Sequence, residues 1–237
     1  MESINLENIL FLDIETVPQT YDYKALDEET KHLFELKNRS YINEDKSGEL
    51  VYKDRGGIQS EFGKIICISV GMVKQTTLGK TIRIKSFAHD DELTLLTQFN
   101  RLLEDHYSEK ILCGHNAKEF DFPYLCRRML IHGIRLPKVL DISGKKPWEI
   151  KHLDTMELWK FGDYKAYTSL ALLCHIFQIP TPKDDISGAD VARVYYEEQN
   201  LERITKYCEK DVVALIQVYL RMRLEPLVEE ANITYVP

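Results

Sequence analysis

Long apolar runs are missing from this sequence of 237 residues. No stretch approaches the roughly 18 to 20 apolar residues that a membrane-spanning helix requires. The first residues, Met1-Glu2-Ser3-Ile4-Asn5, also lack the basic and apolar regions of a signal peptide. We therefore expect a cytoplasmic protein that does not enter a membrane.

Cysteine is scarce as well. The chain has five cysteines, no pair of them shows the CxxC spacing of a zinc or redox motif, and four lie within apolar segments. A free thiol in such a segment packs as a small apolar side chain. The sequence therefore predicts neither a zinc site nor a disulfide framework for Cys67, Cys113, Cys126, Cys174 and Cys208.

Positive charge is in deficit, with 31 Lys and Arg against 38 Asp and Glu and a formal net charge of -7. This balance argues against a protein that coats nucleic acid with a basic surface. It does not exclude an enzyme, because divalent cations bound in an acidic cluster would reverse the local field and let a phosphate approach. The basic pairs Arg127-Arg128 and Lys145-Lys146 are predicted to be solvated surface pairs.

Two carboxylates end the first apolar run, which reads Ile9-Leu10-Phe11-Leu12-Asp13-Ile14-Glu15-Thr16. In an extended strand alternate residues point the same way, so Asp13 and Glu15 project from one face at the strand's C-terminal end. Burying unpaired carboxylates is costly, and no Lys or Arg lies nearby in sequence. This pattern predicts half of a divalent-metal site.

The hydrophobic patterns predict an α/β protein in which strands come first and helices follow. Strands are predicted at 8–15, 64–73, 81–87 and 111–115, with the second and third forming a hairpin. Helices are predicted from Asp90 through the stripe that ends at Leu103, from about Asp121 to Gly133, and at 154–161, 169–177, 188–199 and 201–224. With 44% hydrophobic residues, residues 1–237 are expected to form one domain.

Residues 17–63 interrupt this order as an insertion. They combine many charges with scattered tyrosines and include one predicted helix at about 27–38. A segment of that length is rarely an idle loop, and it leaves from the carboxylate end of the first strand. A substrate-contacting lid and a peripheral decoration both remain open interpretations.

Further polar groups follow the fourth strand and interrupt the last helix. Asn116, Phe120 and Asp121 come just after the strand, where ligand-binding groups gather at the open edge of an α/β sheet. Tyr207 and Asp211 stand one turn apart on the predicted inward face of the helix at 201–224. Taken alone, Asp121 fits a helix cap and Asp211 fits a buried ion pair with a core tyrosine beside it.

Taken together, these residues resemble the three motifs of the DEDD, or DnaQ-like, exonuclease superfamily. The motifs are Asp13-Ile14-Glu15, then Asn116 with Phe120-Asp121, then Tyr207-Cys208-Glu209-Lys210-Asp211. The tyrosine four positions before the last Asp is typical of the DEDDy branch, and the DEDDh alternative fails because Lys206 stands where its histidine would be. The chain resembles the proofreading exonuclease domains of family B DNA polymerases and the stand-alone predicted exonucleases similar to them.

The resemblance implies an RNase H-like fold, with a mixed five-stranded sheet whose first three strands are antiparallel, flanked by helices. It implies a 3′-5′ exonuclease that acts on the 3′ end of a single strand, DNA in preference to RNA, with two Mg²⁺ or Mn²⁺ ions. Asp13 would bridge both ions, Glu15 and Asp211 would complete the first site, and Asp121 would hold the second. Tyr207 would orient the attacking water.

Three further positions match family residues that touch the substrate. Asn116 and Phe120 would contact the terminal nucleotide, with Phe120 stacked on or wedged beside a base, and Thr16 would offer its backbone N–H. A simple packing role for Phe120 remains equally open. His115 and His152 lie near motif positions but show no metal-ligand pairing.

Three other interpretations are weighed against this one. A ribonuclease or oligonucleotide exonuclease could use the same scaffold. A non-catalytic binding module usually lacks one of the four acids, and this chain has all of them with the tyrosine. A structural α/β protein whose acids only cap helices would require several coincidences. The sequence does not name a protein partner.

Overall fold

The computed structural model describes residues 4–163, 165, 167–180 and 186–236. Within them, strands are found at β1 (Ile9–Pro18), β2 (Gly63–Thr76), β3 (Gly79–Ala88), β4 (Ile111–Gly114), β5 (Leu153–Asp154) and β6 (Ile233–Val236). They form one mixed sheet in the order β5-β4-β1-β2-β3-β6. The predicted α/β class is confirmed.

The sheet has an antiparallel centre and parallel edges. β1 pairs with β2 and β2 with β3 in antiparallel fashion, as predicted, while β4, β5 and β6 join in parallel to β1, β4 and β3 respectively. The predicted count of five strands is wrong for the described residues, because β6 adds a sixth at the β3 edge. Its four residues are too few to show a strand period in the sequence.

Helices cover both faces of the sheet. They are α1 (Glu28–Lys37), α2 (Gly48–Arg55), α3 (Glu92–His106), α4 (Asp121–Ile131), α5 (Thr155–Lys160), α6 (Leu170–Ile176), α7 (Val191–Tyr196) and α8 (Leu201–Met222). Short 3₁₀ turns occur at Leu6–Asn8, Tyr23–Ala25, Pro147–Glu149 and Glu230–Asn232. Each predicted helix is present, usually shorter by one to three residues at its ends. The helix α2 was not predicted.

Alternation along β1 divides the core into two layers. Leu10, Leu12 and Ile14 are buried with residues of α3 and α4 on one face. Ile9 and Phe11 are buried with residues of α8 on the other face. Because side chains alternate, Asp13 and Glu15 continue the row of Ile9 and Phe11 and therefore face α8.

The segment between β1 and β2 has a small core of its own, built on Phe34, Val51 and Tyr52. Two contacts hold it beside the C-terminal end of β1. The ring of Tyr21 stacks on Tyr196 of α7 with centroids 4.8 Å apart, and the Tyr124 hydroxyl of α4 donates to the Gly57 carbonyl at 2.7 Å. The segment thus borders the strand end that carries the two acids.

One member of the predicted surface pair Arg127-Arg128 is buried, and the other is exposed. Arg128 is only 2% exposed; its guanidinium contacts Glu92 at 2.5 Å and donates to the Ser60 carbonyl at 2.9 Å. Glu92 also accepts from the backbone N–H of Ile65 at 2.7 Å. The prediction failed because sequence neighbours do not reveal that α3 and α4 bring these opposite charges together.

Among the described residues, no helix combines the length and apolar character needed to cross a membrane. All five cysteines are free thiols, and all of them except Cys126 are buried.

Candidate active site

The strand β1 delivers two acids to a gap in the sheet. β4 pairs with β1 only from Ile9 to Phe11 and ends at Gly114, so the edge of β1 beyond this point faces the loop that follows β4. The β1–β2 register shifts between Glu15 and Thr16. Such a bulge bends a strand and redirects its side chains at a functional edge. Glu15 is buried, and Asp13 keeps part of its surface open to solvent.

The loop after β4 brings Asp121 to the same gap. Asn116 has a left-handed backbone with φ of 62°, which turns the chain into α4. Asp121 is the first residue of that helix and is 3% exposed. Its carboxylate accepts hydrogen bonds from its own N–H and from the N–H of Ile14 in β1. It is therefore directed at the strand that carries Asp13 and Glu15, and it is not the side-chain cap of α4.

The helix α8 supplies the remaining groups from across the cleft. The Tyr207 hydroxyl donates a hydrogen bond to Asp211, one turn further along. Between them, the Cys208 sulfur lies 3.6 Å from Oδ2 of Asp13. Donor atoms of Asp13, Glu15 and Cys208 all lie within 4.8 Å of one another. Residues that are far apart in the sequence thus meet where β1, α4 and α8 converge.

Burial and mutual repulsion dominate the electrostatics of the two acids of β1. Burial raises the pKa of Asp13 well above its usual range, and the nearby Asp121 and Asp211 raise it further. Burial also raises the pKa of Glu15, with Asp13 as the next cause. The largest causes of both shifts are burial and neighbouring acids and thiols, with no Lys or Arg among them. A divalent cation would supply the missing positive charge, so these residues fit a metal centre of hard oxygen ligands.

Cys208 is less suited to this role than the acids. Burial raises the pKa of its thiol well above the usual range. The thiolate is the form that binds a metal, and it is disfavoured here. The carboxylates remain the natural ligands.

The residues predicted to contact the substrate, here called the rim residues, are Thr16, Asn116 and Phe120. Phe120 is half-buried, packs against the α3–α4 core and contacts the ring of Tyr124 with centroids 5.4 Å apart. The Thr16 hydroxyl donates to the Tyr124 hydroxyl. The backbone N–H of Asn116 donates to Asp154 at 2.9 Å. Each of the three is thus held by a contact within the fold.

The two histidines near the motifs are occupied by structural contacts. His115 contacts the hydroxyl of Thr155 and the carbonyl of Thr168, each at 2.9 Å. His152 accepts from the Leu112 N–H at 3.2 Å and contacts the Val139 carbonyl at 2.8 Å. Burial lowers the pKa of both imidazoles, so both are neutral at physiological pH.

Asp154 is a residue of the site that sequence reasoning missed. It is 3% exposed, and its carboxylate accepts from the backbone N–H groups of Asn116, Lys118 and Met156 at 2.9 to 3.0 Å. It caps α5 and at the same time fixes the loop that ends in Asp121. The available signal was an acid at the first position of the helix predicted at 154–161, which indicates a cap but not its contacts with the loop before Asp121.

A known protein family matches most of this chain. Residues 58–231 match the family described as predicted 3′-5′ exonucleases related to the exonuclease domain of PolB. That range includes Asn116, Phe120, Asp121, Tyr207 and Asp211 and begins after the acids of β1.

A solved structure also shares the fold. The family B DNA polymerase of the hyperthermophilic archaeon Pyrobaculum calidifontis is similar with a TM-score of 0.55 and 16% identity. The similarity covers 91% of this chain and 24% of the polymerase chain. The chain thus spans about a quarter of the length of that polymerase.

Proposed function

Because the chain belongs to the family of predicted 3′-5′ exonucleases related to the exonuclease domain of PolB, we propose that it hydrolyses phosphodiester bonds at the 3′ ends of single-stranded DNA. The observation that carries this proposal is the convergence of Asp13, Glu15, Asp121 and Asp211 beside the hydroxyl of Tyr207. We propose further that residues 1–237 act as one exonuclease domain in which 17–63 is an insertion.

The four acids would hold two divalent cations, Mg²⁺ or Mn²⁺. Asp13 would be shared, Glu15 and Asp211 would complete the first site, and Asp121 would belong to the second. Bound in pairs, such ions lower the pKa of water and stabilise charge on the attacking and leaving oxygens. The raised pKa values of Asp13 and Glu15 support this assignment, because both carboxylates would become more acidic with a cation beside them.

Tyr207 would orient the attacking water rather than remove its proton. Burial and the adjacent Asp211 raise the pKa of its phenol far above 10, so the hydroxyl keeps its proton at neutral pH. The hydroxyl donates to Asp211 and retains lone pairs that can accept from a water. Tyr207 would therefore contribute to the rate by aligning the water with the phosphate that it attacks.

The rim residues would receive the terminal nucleotide. We propose that Phe120 stacks against a base and that the side-chain amide of Asn116 forms a hydrogen bond with the terminal nucleotide. Thr16 would donate a hydrogen bond to the same nucleotide from its backbone N–H. Stacking on an aromatic ring is sequence-tolerant, as an exonuclease requires.

The test uses 5′-labelled DNA and RNA single strands of matched sequence, incubated with Mg²⁺ or with Mn²⁺. Stepwise shortening of the DNA from its 3′ end is the expected result, with slower shortening of RNA. A preference for RNA would assign the protein to the exoribonucleases of the same fold. Binding of either strand without any cleavage would identify a non-catalytic binding module.

A single substitution in the acidic cluster tests whether the cluster is responsible for the cleavage. Asp211→Asn should reduce cleavage by more than about a hundredfold, because losing a metal ligand should cost more than the roughly 10- to 100-fold that losing a hydrogen-bond partner of a ligand costs, while the circular dichroism spectrum stays unchanged. Asp141→Asn, at an exposed aspartate in the loop after α4, is the matched control and should cleave normally. Near-normal turnover by the Asp211 variant would contradict the proposed site.

A further inference from the structure

Three basic side chains lie next to Tyr207 on α8. Arg203, Lys206 and Lys210 are spaced so that, with Tyr207, they fall on one side of the helix. All four residues line a cavity of about 320 Å³, together with Ile186, Asn200 and Glu202. The cavity therefore shares Tyr207 with the acidic cluster and adjoins it.

We propose that this cavity, the basic pocket of α8, binds a phosphate of the DNA strand that remains after cleavage. The inference rests on the proposed function and adds a second anion site to it. A 3′-terminal nucleotide is joined to the strand through the phosphate that is cleaved. Any other phosphate held beside Tyr207 must therefore belong to the retained strand. Three cations around one cavity suit a phosphate diester, whose two free oxygens accept charge-assisted hydrogen bonds.

The overall negative charge of the protein means that DNA needs a local site of attraction, which such a pocket would provide. A chain with a formal net charge of -7 repels a polyanion on average, and the acids of the cleft add to that repulsion until cations bind them. A local group of Lys and Arg beside the cleft supplies attraction where the strand must pass. It also sets the register of the strand relative to the scissile bond, since phosphate contacts fix position without reading sequence.

Lys206 and Arg203 each form an ion pair with a glutamate. Lys206 contacts Glu202 at 2.6 Å, and Arg203 contacts Glu198 at 2.6 Å. The side chains of Lys206 and Glu202 are 64% and 79% exposed, and exposed pairs of this kind are weak because water and salt screen them. An incoming phosphate can therefore displace Glu202 from Lys206 at little cost. The pairs keep the cations near the cavity in the meantime.

The experiment compares two substrates that differ in the number of phosphates. The first is a 5′-labelled single-stranded oligodeoxynucleotide. The second is the p-nitrophenyl ester of thymidine 5′-monophosphate, whose only phosphate is the one cleaved. Wild type, Lys206→Ala, Arg203→Ala and Lys206→Arg are assayed with Mg²⁺ over a range of salt. The control is Lys138→Ala, which removes an exposed lysine paired with Glu109, the glutamate that precedes β4 at the far end of the sheet.

On the oligonucleotide, Lys206→Ala and Arg203→Ala should each raise KM severalfold with little change in kcat. Each alanine substitution should lower the steepness of log(kcat/KM) against log[salt] by at most about 0.7, the value for one phosphate contact on a single strand. Lys206→Arg should restore most of the binding, and Lys138→Ala should behave as wild type. On the single-phosphate ester all variants should match wild type.

Unchanged KM and salt dependence in both alanine variants would overturn the proposal. Equal losses on both substrates would also overturn it, since they would place the cations at the scissile phosphate. If wild type cleaves neither substrate, the proposed exonuclease function itself is wrong, and the pocket's assignment falls with it. Thermal unfolding of each variant shows whether a loss comes from misfolding.

Discussion

Replacing Asp121 by Asn in metal-free protein tests the acidic cluster through its stability. Burial raises the pKa of the Asp121 carboxyl from 3.8 to about 7. Between these pH values the unfolded chain releases the proton while the folded chain retains it, so the folded state loses stability as the pH rises. The stability that protonated Asp121 gives to the folded state is fully present below about pH 4 and is lost as the pH rises past 7.

The size of the effect follows from the same two values. Because they differ by about three, the linkage amounts to about 4 kcal/mol. This is an upper limit for the variant, because Asn keeps one oxygen to accept from Ile14 or from its own N–H but gives up the second. We expect Asp121→Asn to be about 2 to 4 kcal/mol more stable than wild type at pH 8 without metal, and similar to it at pH 4.

The assay is thermal unfolding followed by circular dichroism, in EDTA and in Mg²⁺, at both pH values. At about 2 to 4 °C per kcal/mol for a chain of this size, the gain in EDTA at pH 8 is a shift of several degrees. Mg²⁺ should stabilise wild type at pH 8 and stabilise Asp121→Asn much less. Equal melting temperatures of the two proteins at pH 8 in EDTA would refute the reasoning, as would equal stabilisation of both by Mg²⁺.

Two further predictions concern residues around the acids. Tyr207→Phe should lower kcat about tenfold to a hundredfold, the cost of a poorly positioned water, and leave the Mg²⁺-dependent rise in melting temperature intact; loss of that rise would show that the hydroxyl acts on the metal site instead. Asp154→Asn turns an NH₂ group toward a backbone N–H, so the loop that ends in Asp121 should shift; kcat should fall and the Mg²⁺ concentration for half-maximal rate should rise, whereas a change in melting temperature alone would indicate a purely structural cap.

The fold was largely predictable because its signals are local. The apolar run that ends in Asp13 and Glu15, the hairpin of β2 and β3, and the stripe of α8 each follow from a period of about 2.0 or 3.6 residues. The short strands β5 and β6 could not be found in this way. Leu153–Asp154 and Ile233–Val236 are strands only because β4 and β3 offer them free edges.

The residues of the proposed site were likewise recognisable in the sequence, whereas the residues that support them were not. Four acids and a tyrosine stood out because charged groups beside or within apolar patterns require a partner. Asp154 and the Glu92–Arg128 pair gave only ordinary local signals, a helix cap and a surface charge. Their importance depends on backbone donors and countercharges that come from other segments of the chain.

The sequence by itself thus determined which side chains alternate onto one face of β1 and which lie one turn apart on α8, because strand and helix geometry fix these relations over short distances. Only the tertiary structure decided that the two faces meet across the gap at the end of β4, and that the pKa values of Asp13 and Glu15 rise there. The physical reason is that burial and charge–charge interaction depend on distance in space, and the folded chain sets that distance between residues nearly two hundred positions apart.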